Sequence, residues 1–300
     1  MILQDTLQTR IPLILDGAMG TELQRRGINT GLPLWSANAL LSRPDEVLQI
    51  HKDYIAAGAD IITTNTFRTT RRTMHRANLP DRSLQLTRAA VDLARRAREA
   101  FPEKSILIAG SIAPLEDCYR PDLVPSEAEL KDEHTELAER LEEGGVDFIL
   151  IETMNTVREA YAACTAARAT GKEVVVSFVC DKEGNLLGGE SLAEAVRTIA
   201  ELRPTSFSIN CVSPRYMNHA LTILKSSISN FQSSIPFAAY GNVGLPESNL
   251  LGWEFTHDIS EDEYAIHVRE WARMGAAIVG GCCGTTPGYV GAVASVLGKT

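Results

Sequence analysis

Eight short apolar runs recur along this chain, and a longer stretch with helical character separates each run from the next. Each run is nearly continuous in apolar character and ends at turn-forming or polar residues, as is typical of parallel strands buried on both faces. Eight βα units in 300 residues predict an α/β fold, a single (β/α)8 TIM barrel with residues 1–300 as one domain. The runs are Ile11–Leu15, Asp60–Thr64, Ser105–Ala109, Asp147–Ile151, Glu173–Val179, Thr205–Ile209, Ile235–Ala239 and Ala276–Val279.

The stretches between the runs carry start and stop signals for helices. Ser126, Ser191 and Ser260 are each followed three residues later by glutamate, which fits the capping box at a helix start. A doubly wound open sheet is the alternative fold, but it more often has five or six strands, and no G-x-G-x-x-G follows the first run. Glycines are expected where a helix must stop before the next strand, and the candidates are Gly58, Gly144, Gly171 and Gly275.

Composition narrows the classes of function. A net charge of −9 makes nucleic acid a poor partner. No apolar run reaches about 18 residues, so no membrane span is expected. The amino terminus has no basic stretch followed by an apolar one, so no secretory signal is expected. We therefore expect a cytoplasmic protein whose six cysteines are reduced and free to bind a metal, since they are too sparse for a disulfide scaffold.

The residues that follow the eight runs carry chemically active groups. In a (β/α)8 barrel the chemistry lies at the carboxyl ends of the strands. A purely structural barrel would not need this density of carboxylates, amides and thiols, so the pattern predicts an enzyme. The residues are Asp16 and Gly17, Asn65, Gly110 and Ser111, Glu152, Cys180 and Asp181, Asn210 and Cys211, Tyr240 with Gly241 and Asn242, and Gly281 with Cys282 and Cys283.

Three of these cysteines suggest a metal site. Cys211 follows the sixth run, and Cys282 and Cys283 follow the eighth. Adjacent cysteines rarely bond to each other, because that ring strains the peptide between them. Flanking glycines allow a sharp turn, so both thiols can bind one ion. Three thiolates with one open position form a catalytic zinc pattern. The alternative is that these cysteines are small buried hydrophobic residues beside tight turns.

A thiolate-rich zinc site favours one class of reaction. Such a zinc accepts another thiolate, lowers the pKa of a substrate thiol and keeps that sulfur nucleophilic near neutral pH. Sulfur alkylation is therefore the predicted chemistry. Two alternatives come from other classes: a redox or metal-handling protein that uses Cys282 and Cys283 as a vicinal dithiol, and a catalytically empty barrel that serves as a binding subunit.

Motifs that extend nearly end to end point to one family. They are Asp16–Leu23, Ala57–Phe67, Gly110–Pro114, Ile151–Thr153, Asn210–Cys211, Gly241–Pro246 and Gly280–Pro287. In these segments the chain resembles the homocysteine S-methyltransferases, which include enzymes dependent on S-methylmethionine and on betaine. It also resembles the homocysteine-binding module of cobalamin-dependent methionine synthase. The resemblance implies a (β/α)8 barrel in which Cys211, Cys282 and Cys283 hold Zn2+ and homocysteine sulfur is the incoming ligand.

The resemblance also implies roles for other strand ends. It assigns Glu152 to the ammonium group of homocysteine and places Asp16 in the same neighbourhood, so we take both as catalytic carboxylates. An anion suits an ammonium, and the backbone N–H groups around Gly17 and Ala18 suit the substrate carboxylate. The remaining substrate-binding candidates are two asparagines at strand ends, of which the second would fill the open zinc position before substrate arrives; they are Asn210 and Asn242.

The sequence specifies the methyl donor less tightly than it specifies the metal site and the thiol acceptor. The resemblance implies methionine as the product and a small sulfonium donor such as S-methylmethionine. Betaine fits less well, because the betaine enzymes carry aromatic residues after the second strand, where this chain has Phe67 and then Arg68. A separate methylcobalamin-carrying protein is an alternative methyl source, and another small thiol or selenol is an alternative acceptor. The basic run Arg68–Arg76 is either a solvated helix face or a surface that meets an anionic donor or a partner protein.

Overall fold

A sheet of eight parallel strands forms the centre of the protein, in agreement with the eight apolar runs. The computed structural model describes residues 3–7, 11–231, 235–243, 246–249, 252–255 and 258–299. The strands, in chain order, are β1 (Leu13–Ile14), β2 (Ile61–Thr63), β3 (Leu107–Ile112), β4 (Phe148–Met154), β5 (Glu173–Phe178), β6 (Ser206–Asn210), β7 (Phe237–Gly241), β8 (Pro246–Asn249), β9 (Gly252–Phe255) and β10 (Ile278–Gly281).

The strand order closes the sheet into a barrel. Neighbours run β1-β10-β7-β6-β5-β4-β3-β2, and β8 pairs with β9 in a separate antiparallel hairpin. The two ends of the large sheet meet through a parallel bridge between Leu15 and Ile61. There the Asp16 N–H donates to the carbonyl of Ile61 at 2.9 Å and the Asp60 N–H to that of Ile14 at 2.8 Å. The prediction of a (β/α)8 barrel is therefore confirmed.

Helices connect the strands and cover the outside of the barrel. They are α1 (Leu3–Thr6), α2 (Gly20–Arg25), α3 (Asn38–Ser42), α4 (Pro44–Ala57), α5 (Arg71–Arg76), α6 (Ser83–Glu99), α7 (Glu127–Gly144), α8 (Val157–Ala169), α9 (Leu192–Ala200), α10 (Pro214–Ile228), α11 (Glu261–Met274) and α12 (Pro287–Val296). Three short 3-10 turns, Trp35–Ala37, Pro80–Arg82 and Pro121–Leu123, lie in the connections. Within the described part of the chain, no helix is long and apolar enough to cross a lipid bilayer.

The helix starts and stops predicted from the sequence are confirmed, with one correction. Ser126 and Glu129 form a full capping box at the start of α7, and the hydroxyl groups of Ser191 and Ser260 cap α9 and α11. The predicted stop at Gly144 is wrong by one residue. Gly144 is still helical and packs closely on α6, and the next residue, Gly145, takes the left-handed conformation that ends the helix, with φ +81°.

Two apolar layers support the barrel. One lies between the sheet and the helices, and the other fills the barrel interior with alternate strand residues such as Leu107, Phe148 and Val175. Helix α1 closes the amino-terminal end of the barrel, because Leu3 belongs to the interior layer. The side chain of Glu173, at the start of β5, accepts bonds of 2.7 Å from the backbone N–H groups of Leu3 and Gln4.

Candidate active site

A cavity of about 120 Å³ opens at the carboxyl ends of the barrel strands. Its wall combines the residues after β1, β2, β3, β4, β6 and β10, so loops distant in sequence meet there. Most of the predicted site residues line it: Asp16, Gly17, Ala18, Glu152, Cys211, Cys282 and Cys283. The strand ends therefore converge as a (β/α)8 barrel requires.

The three predicted metal-binding cysteines come together at one side of this cavity. The Sγ atom of Cys211 lies 2.8 Å from that of Cys282 and 3.8 Å from that of Cys283. All three sulfur atoms lie within 4.8 Å of one another, and none is in a disulfide. Cys211 follows β6 with φ +55°, a left-handed conformation that costs a non-glycine residue energy and is common at functional sites.

Glycines next to the cysteine pair permit the tight turn that presents both thiols. A methyl group on Gly281 would lie 2.2 Å from Oγ1 of Thr285, and one on Gly280 would lie 2.6 Å from the carbonyl oxygen of Leu15. The Thr285 hydroxyl donates a 2.7 Å bond to the carbonyl of Cys282, and the Cys282 N–H donates to the carbonyl of Gly241 at 2.9 Å. The turn is therefore fixed by packing on one side and by hydrogen bonds on the other.

The chemistry of the three thiols fits a thiophilic metal ion. Hydrogen bonds from Cys282 and Cys283 lower the pKa of the Cys211 thiol well below its usual value. The same contacts with Cys211 raise the pKa values of Cys282 and Cys283. The three thiols are thus close enough for the ionisation of one to change the pKa values of the other two. A divalent cation favours the thiolate form of all three, and three cysteine sulfurs leave a fourth tetrahedral position open.

Asp16 lies at the end of β1 with its carboxylate held by β2. Its Oδ2 accepts a 2.8 Å bond from the backbone N–H of Thr63, and its Oδ1 accepts a 2.9 Å bond from the Thr63 hydroxyl. Burial raises the pKa of Asp16 to about 8, although these bonds oppose the shift, and the neighbouring charge of Glu152 raises it further. The two predicted carboxylates therefore interact electrostatically within one cavity.

A distortion of β4 aims Glu152 into the cavity. The pairing of β4 with β5 shifts between Ile151 and Met154, and Thr153 takes φ +61°, which is rare for a β-branched residue. The Ser111 hydroxyl donates a hydrogen bond to Oε1 of Glu152. Burial raises the pKa of Glu152 to about 7 in spite of that bond. A carboxyl group of this kind gains most from a ligand that brings a positive charge.

Gly17 and Ala18 form the turn after β1 and are fixed from two sides. A methyl group on Gly17 would lie 2.7 Å from Oγ1 of Thr285 and 2.8 Å from the ring of Tyr54. The Tyr54 hydroxyl donates to the carbonyl oxygens of Ala18 and Thr285, at 2.9 and 3.1 Å. This tyrosine ties the turn after β1 to the turn that carries the cysteine pair.

The two predicted asparagines support the wall but do not line the cavity. Asn210 accepts bonds from the Thr153 N–H at 2.9 Å and the Ser177 hydroxyl at 2.7 Å, and donates to the Thr153 hydroxyl at 2.8 Å. Asn242 donates to the carbonyl of Cys211 at 3.0 Å. Both side chains are fully buried, and they hold Thr153 and Cys211, each of which has a positive φ. Substrate binding by either asparagine stays a prediction. Of the Gly241–Pro246 motif, Gly244 and Leu245 lie outside the described residues.

Several cavity residues were given no role by the sequence, although Ser111 was among the residues that follow the apolar runs. Thr63 and Ser111 orient the two carboxylates, and Trp35 lines the wall beside Gly20, where a methyl group would lie 2.4 Å from the indole Nε1. Cys118 and Tyr119 enter from the loop after β3, and the Tyr119 side chain hydrogen-bonds the Cys211 thiol. Thr63 and Ser111 fall at strand ends, which is a usable signal, whereas the loop residues carry no local pattern that points to the site.

The basic run after β2 divides into two parts. The side chains of Arg71, Arg72 and Arg76 form ion pairs with acidic residues of α7 and of the loop before it. Arg68 instead turns into the cavity, where it is 7% exposed. The run is therefore neither a uniform solvated face nor a uniform docking surface.

The family is settled by comparison with known proteins. The sequence model of the homocysteine S-methyltransferases matches residues 13–297, which is nearly the whole chain. The chain belongs to the homocysteine S-methyltransferase family. The resemblance inferred from the motifs is thereby confirmed, and the chain is an enzyme of this family.

Relatives of this family member cover it almost entirely. A selenocysteine methyltransferase of Astragalus bisulcatus is 30% identical over 95% of this chain and 92% of its own length. A methionine synthase of Mycobacterium tuberculosis is 30% identical over 98% of this chain, which corresponds to 25% of that longer protein. The crystal structure of the homocysteine methyltransferase MmuM from Escherichia coli, in its metallated form, superposes with a TM-score of 0.84. It covers 98% of this chain and 99% of MmuM, at 29% identity.

Proposed function

We propose that this enzyme transfers a methyl group from a small sulfonium donor, such as S-methylmethionine, to the thiolate of homocysteine and so forms methionine. Zn2+ held by Cys211, Cys282 and Cys283 is the proposed cofactor. The observation that carries the proposal is the meeting of three thiols and two carboxyl groups with raised pKa values in one small cavity. The metallated form of MmuM supports a metal in this position.

The carboxyl groups of Asp16 and Glu152 suit the ammonium group of an amino acid. Asp16 is buried, Glu152 is half-buried and both have raised pKa values, so a bound cation stabilises their charged forms. Glu152, aimed by the distorted end of β4, is the direct partner in this proposal. Asp16, held by Thr63, adds negative charge beside it. The turn at Gly17 and Ala18 would offer backbone N–H groups to the substrate carboxylate, and the Ala18 N–H would then leave the 3.3 Å bond that it donates to Oγ1 of Thr285.

The reaction then needs a reactive sulfur and an exposed methyl group in line with it. What zinc supplies when bound is a lowered pKa for the homocysteine thiol, so that the sulfur is a thiolate near neutral pH. The thiolate forms a bond to the methyl carbon while the bond from that carbon to the donor sulfonium breaks. The donor leaves as a neutral thioether, so no acid has to protonate it. The chain contributes by fixing the amino-acid end of homocysteine at Glu152 and Gly17.

The methyl donor is tested by product formation. Purified zinc-loaded protein would receive 13C-labelled homocysteine together with S-methylmethionine, S-adenosylmethionine, betaine or methylcobalamin. The label separates methionine made from homocysteine from methionine left behind by the donor. We expect labelled methionine with S-methylmethionine and none with betaine. The absence of turnover with every sulfonium donor would refute the proposal.

A corrinoid protein is the second candidate source of the methyl group. The observation in its favour is the match of almost the whole chain to one quarter of a methionine synthase. Turnover only with methylcobalamin or a protein that carries it would support this candidate. The same assay with a selenol acceptor tests the likeness to the selenocysteine methyltransferase.

A further inference from the structure

Arg68 differs from every other arginine of its run in where its charge is placed. It is almost fully buried, yet in the described part of the chain no ion pair includes it. Glu116 gives Arg68 only its backbone carbonyl, which accepts a 2.8 Å bond from Nη1 of Arg68. The Glu116 carboxylate is instead taken by Arg72 and Arg76. A buried guanidinium without a carboxylate partner is costly unless a ligand completes it.

The surroundings of Arg68 show where such a ligand would lie. Arg68 lines the same cavity as the metal-binding cysteines, and its guanidinium carbon lies 5.4 Å from the ring centroid of Phe67. One face of the Phe67 ring is therefore covered by a cation of the protein, and that face is closed to a cationic methyl donor. The site attracts negative charge at this position.

We propose that Arg68 selects the methyl donor by binding a carboxylate on it. The inference rests on the proposed methyl transfer and adds its specificity. Homocysteine has its own partners in the same cavity: Glu152 for its ammonium group and the turn at Gly17 for its carboxylate. Among the described residues that line the cavity, Arg68 is the remaining charged side chain, and its other N–H groups can serve the second substrate. A guanidinium binds a carboxylate through two parallel N–H bonds, which fixes orientation as well as charge. The donor is accordingly a zwitterionic sulfonium and not a simple alkylsulfonium.

The test pairs one substitution with one change in the donor. Arg68→Gln and the unchanged enzyme would be assayed with S-methylmethionine and with its carboxamide, which lacks only the negative charge. Loss of a charged hydrogen bond predicts that kcat/KM of Arg68→Gln falls about 10–100-fold for the acid. For the carboxamide, kcat/KM of Arg68→Gln should differ from that of the unchanged enzyme by less than about 3-fold. Arg68→Lys keeps the positive charge but lacks the paired N–H groups of the guanidinium. This variant should recover part of the preference for S-methylmethionine over its carboxamide.

Two controls distinguish recognition of the methyl donor by Arg68 from a purely structural role of Arg68 in the segment after β2. Arg71→Gln removes an arginine of the same run that pairs with Asp132 and Glu136 at the surface, and should leave all rates unchanged. Homocysteine affinity and zinc content of Arg68→Gln should equal those of the unchanged enzyme. Equal losses for acid and carboxamide would show a structural role for Arg68 and overturn the inference. Weaker homocysteine binding would show that Arg68 serves the acceptor instead, and would overturn it too.

A binding measurement keeps the inference separate from the proposed function. The probe is 2-amino-5-methylhexanoate, a carbon isostere of S-methylmethionine that has no methyl group to transfer, titrated into zinc-loaded protein saturated with homocysteine. Binding that weakens about 10-fold or more in Arg68→Gln, but not in Arg71→Gln, supports the carboxylate site even if no sulfonium donor turns over. Equal binding in all variants refutes it even if S-methylmethionine is a substrate.

Discussion

Thr63 holds both carboxylate oxygens of Asp16, one through its backbone N–H at 2.8 Å and the other through its hydroxyl at 2.9 Å. These two bonds join the segment just after β1 to the last residue of β2, at the place where the barrel closes. They keep a buried carboxyl group in one orientation although burial raises its pKa to about 8. An acid that is fixed and costly to ionise is prepared for a cationic ligand.

The first prediction concerns the metal. Cys211→Ser, Cys282→Ser and Cys283→Ser should each lose most bound zinc and nearly all activity, because three thiolates share one ion. Zinc content per chain and methionine formation are the measurements. Cys164→Ala is the control, since Cys164 is buried in α8 away from the cavity and should keep one zinc. Full zinc and normal turnover in any of the three serine variants would remove that residue from the ligand set.

The second prediction concerns the substrate ammonium and its pH dependence. Glu152→Gln should weaken homocysteine binding by about 3–5 kcal/mol, as for one partner removed from a buried charge pair, while zinc remains bound. In the unchanged enzyme, affinity should fall as pH drops below about 7, where Glu152 becomes protonated. Calorimetry with homocysteine and with norvaline separates the titration of the enzyme's carboxyl groups from that of the homocysteine thiol. Norvaline has the same ammonium group as homocysteine but no thiol. Unchanged norvaline affinity in Glu152→Gln would contradict the assignment.

The third prediction concerns the glycine turn. Gly281→Ala places a methyl group 2.2 Å from Oγ1 of Thr285, so the turn that carries Cys282 and Cys283 must shift. Zinc affinity should fall by about 10–100-fold although all three thiols remain. Gly291→Ala is the matched control, because in α12 its methyl group would meet nothing closer than 4.0 Å. Competition with a chromophoric chelator measures both, and equal affinities would show that the turn tolerates a side chain.

The fourth prediction concerns stability against pH in the metal-free protein. The pKa of Asp16 is about 8 in the folded state and near 3.8 when unfolded, so the folded state binds more protons between these values. The free energy of unfolding should therefore fall as pH rises from about 4 to about 8, and this group contributes up to about 1.4 kcal/mol per pH unit. Asp16→Asn should have a shallower slope in urea denaturation at several pH values. An identical slope would mean that Asp16 titrates normally.

The barrel and the cysteine site were predictable because their signals are local. A short apolar run marks each of the eight barrel strands, and the fold itself places the residue after the run at the mouth; no such run marks the hairpin strands β8 and β9. Cys211, Cys282 and Cys283 therefore meet as predicted, although 71 residues separate the first two. Gly144 shows the limit of such signals: two adjacent glycines can end the helix, and packing against α6 decides which of them does.

The rest of the site depends on contacts between distant segments. Arg68 and Arg72 are four residues apart and look alike in the sequence. Arg72 is drawn outward because acids 44, 57 and 61 residues further along the chain lie beside it, whereas Arg68 meets a backbone carbonyl and the cavity. Asn210 is similar: its place at a strand end suggested the substrate, yet its amide is used by Thr153 and Ser177. Which neighbour a side chain finds is decided only when the barrel closes.

Helix α1, held against the start of β5 by Glu173, puts the beginning of the described chain on the face opposite the active site. The other end is on that face too, since Lys299 bonds Asp60 just before β2. An affinity tag or reporter joined at either end would therefore emerge on the side of the barrel away from the catalytic mouth.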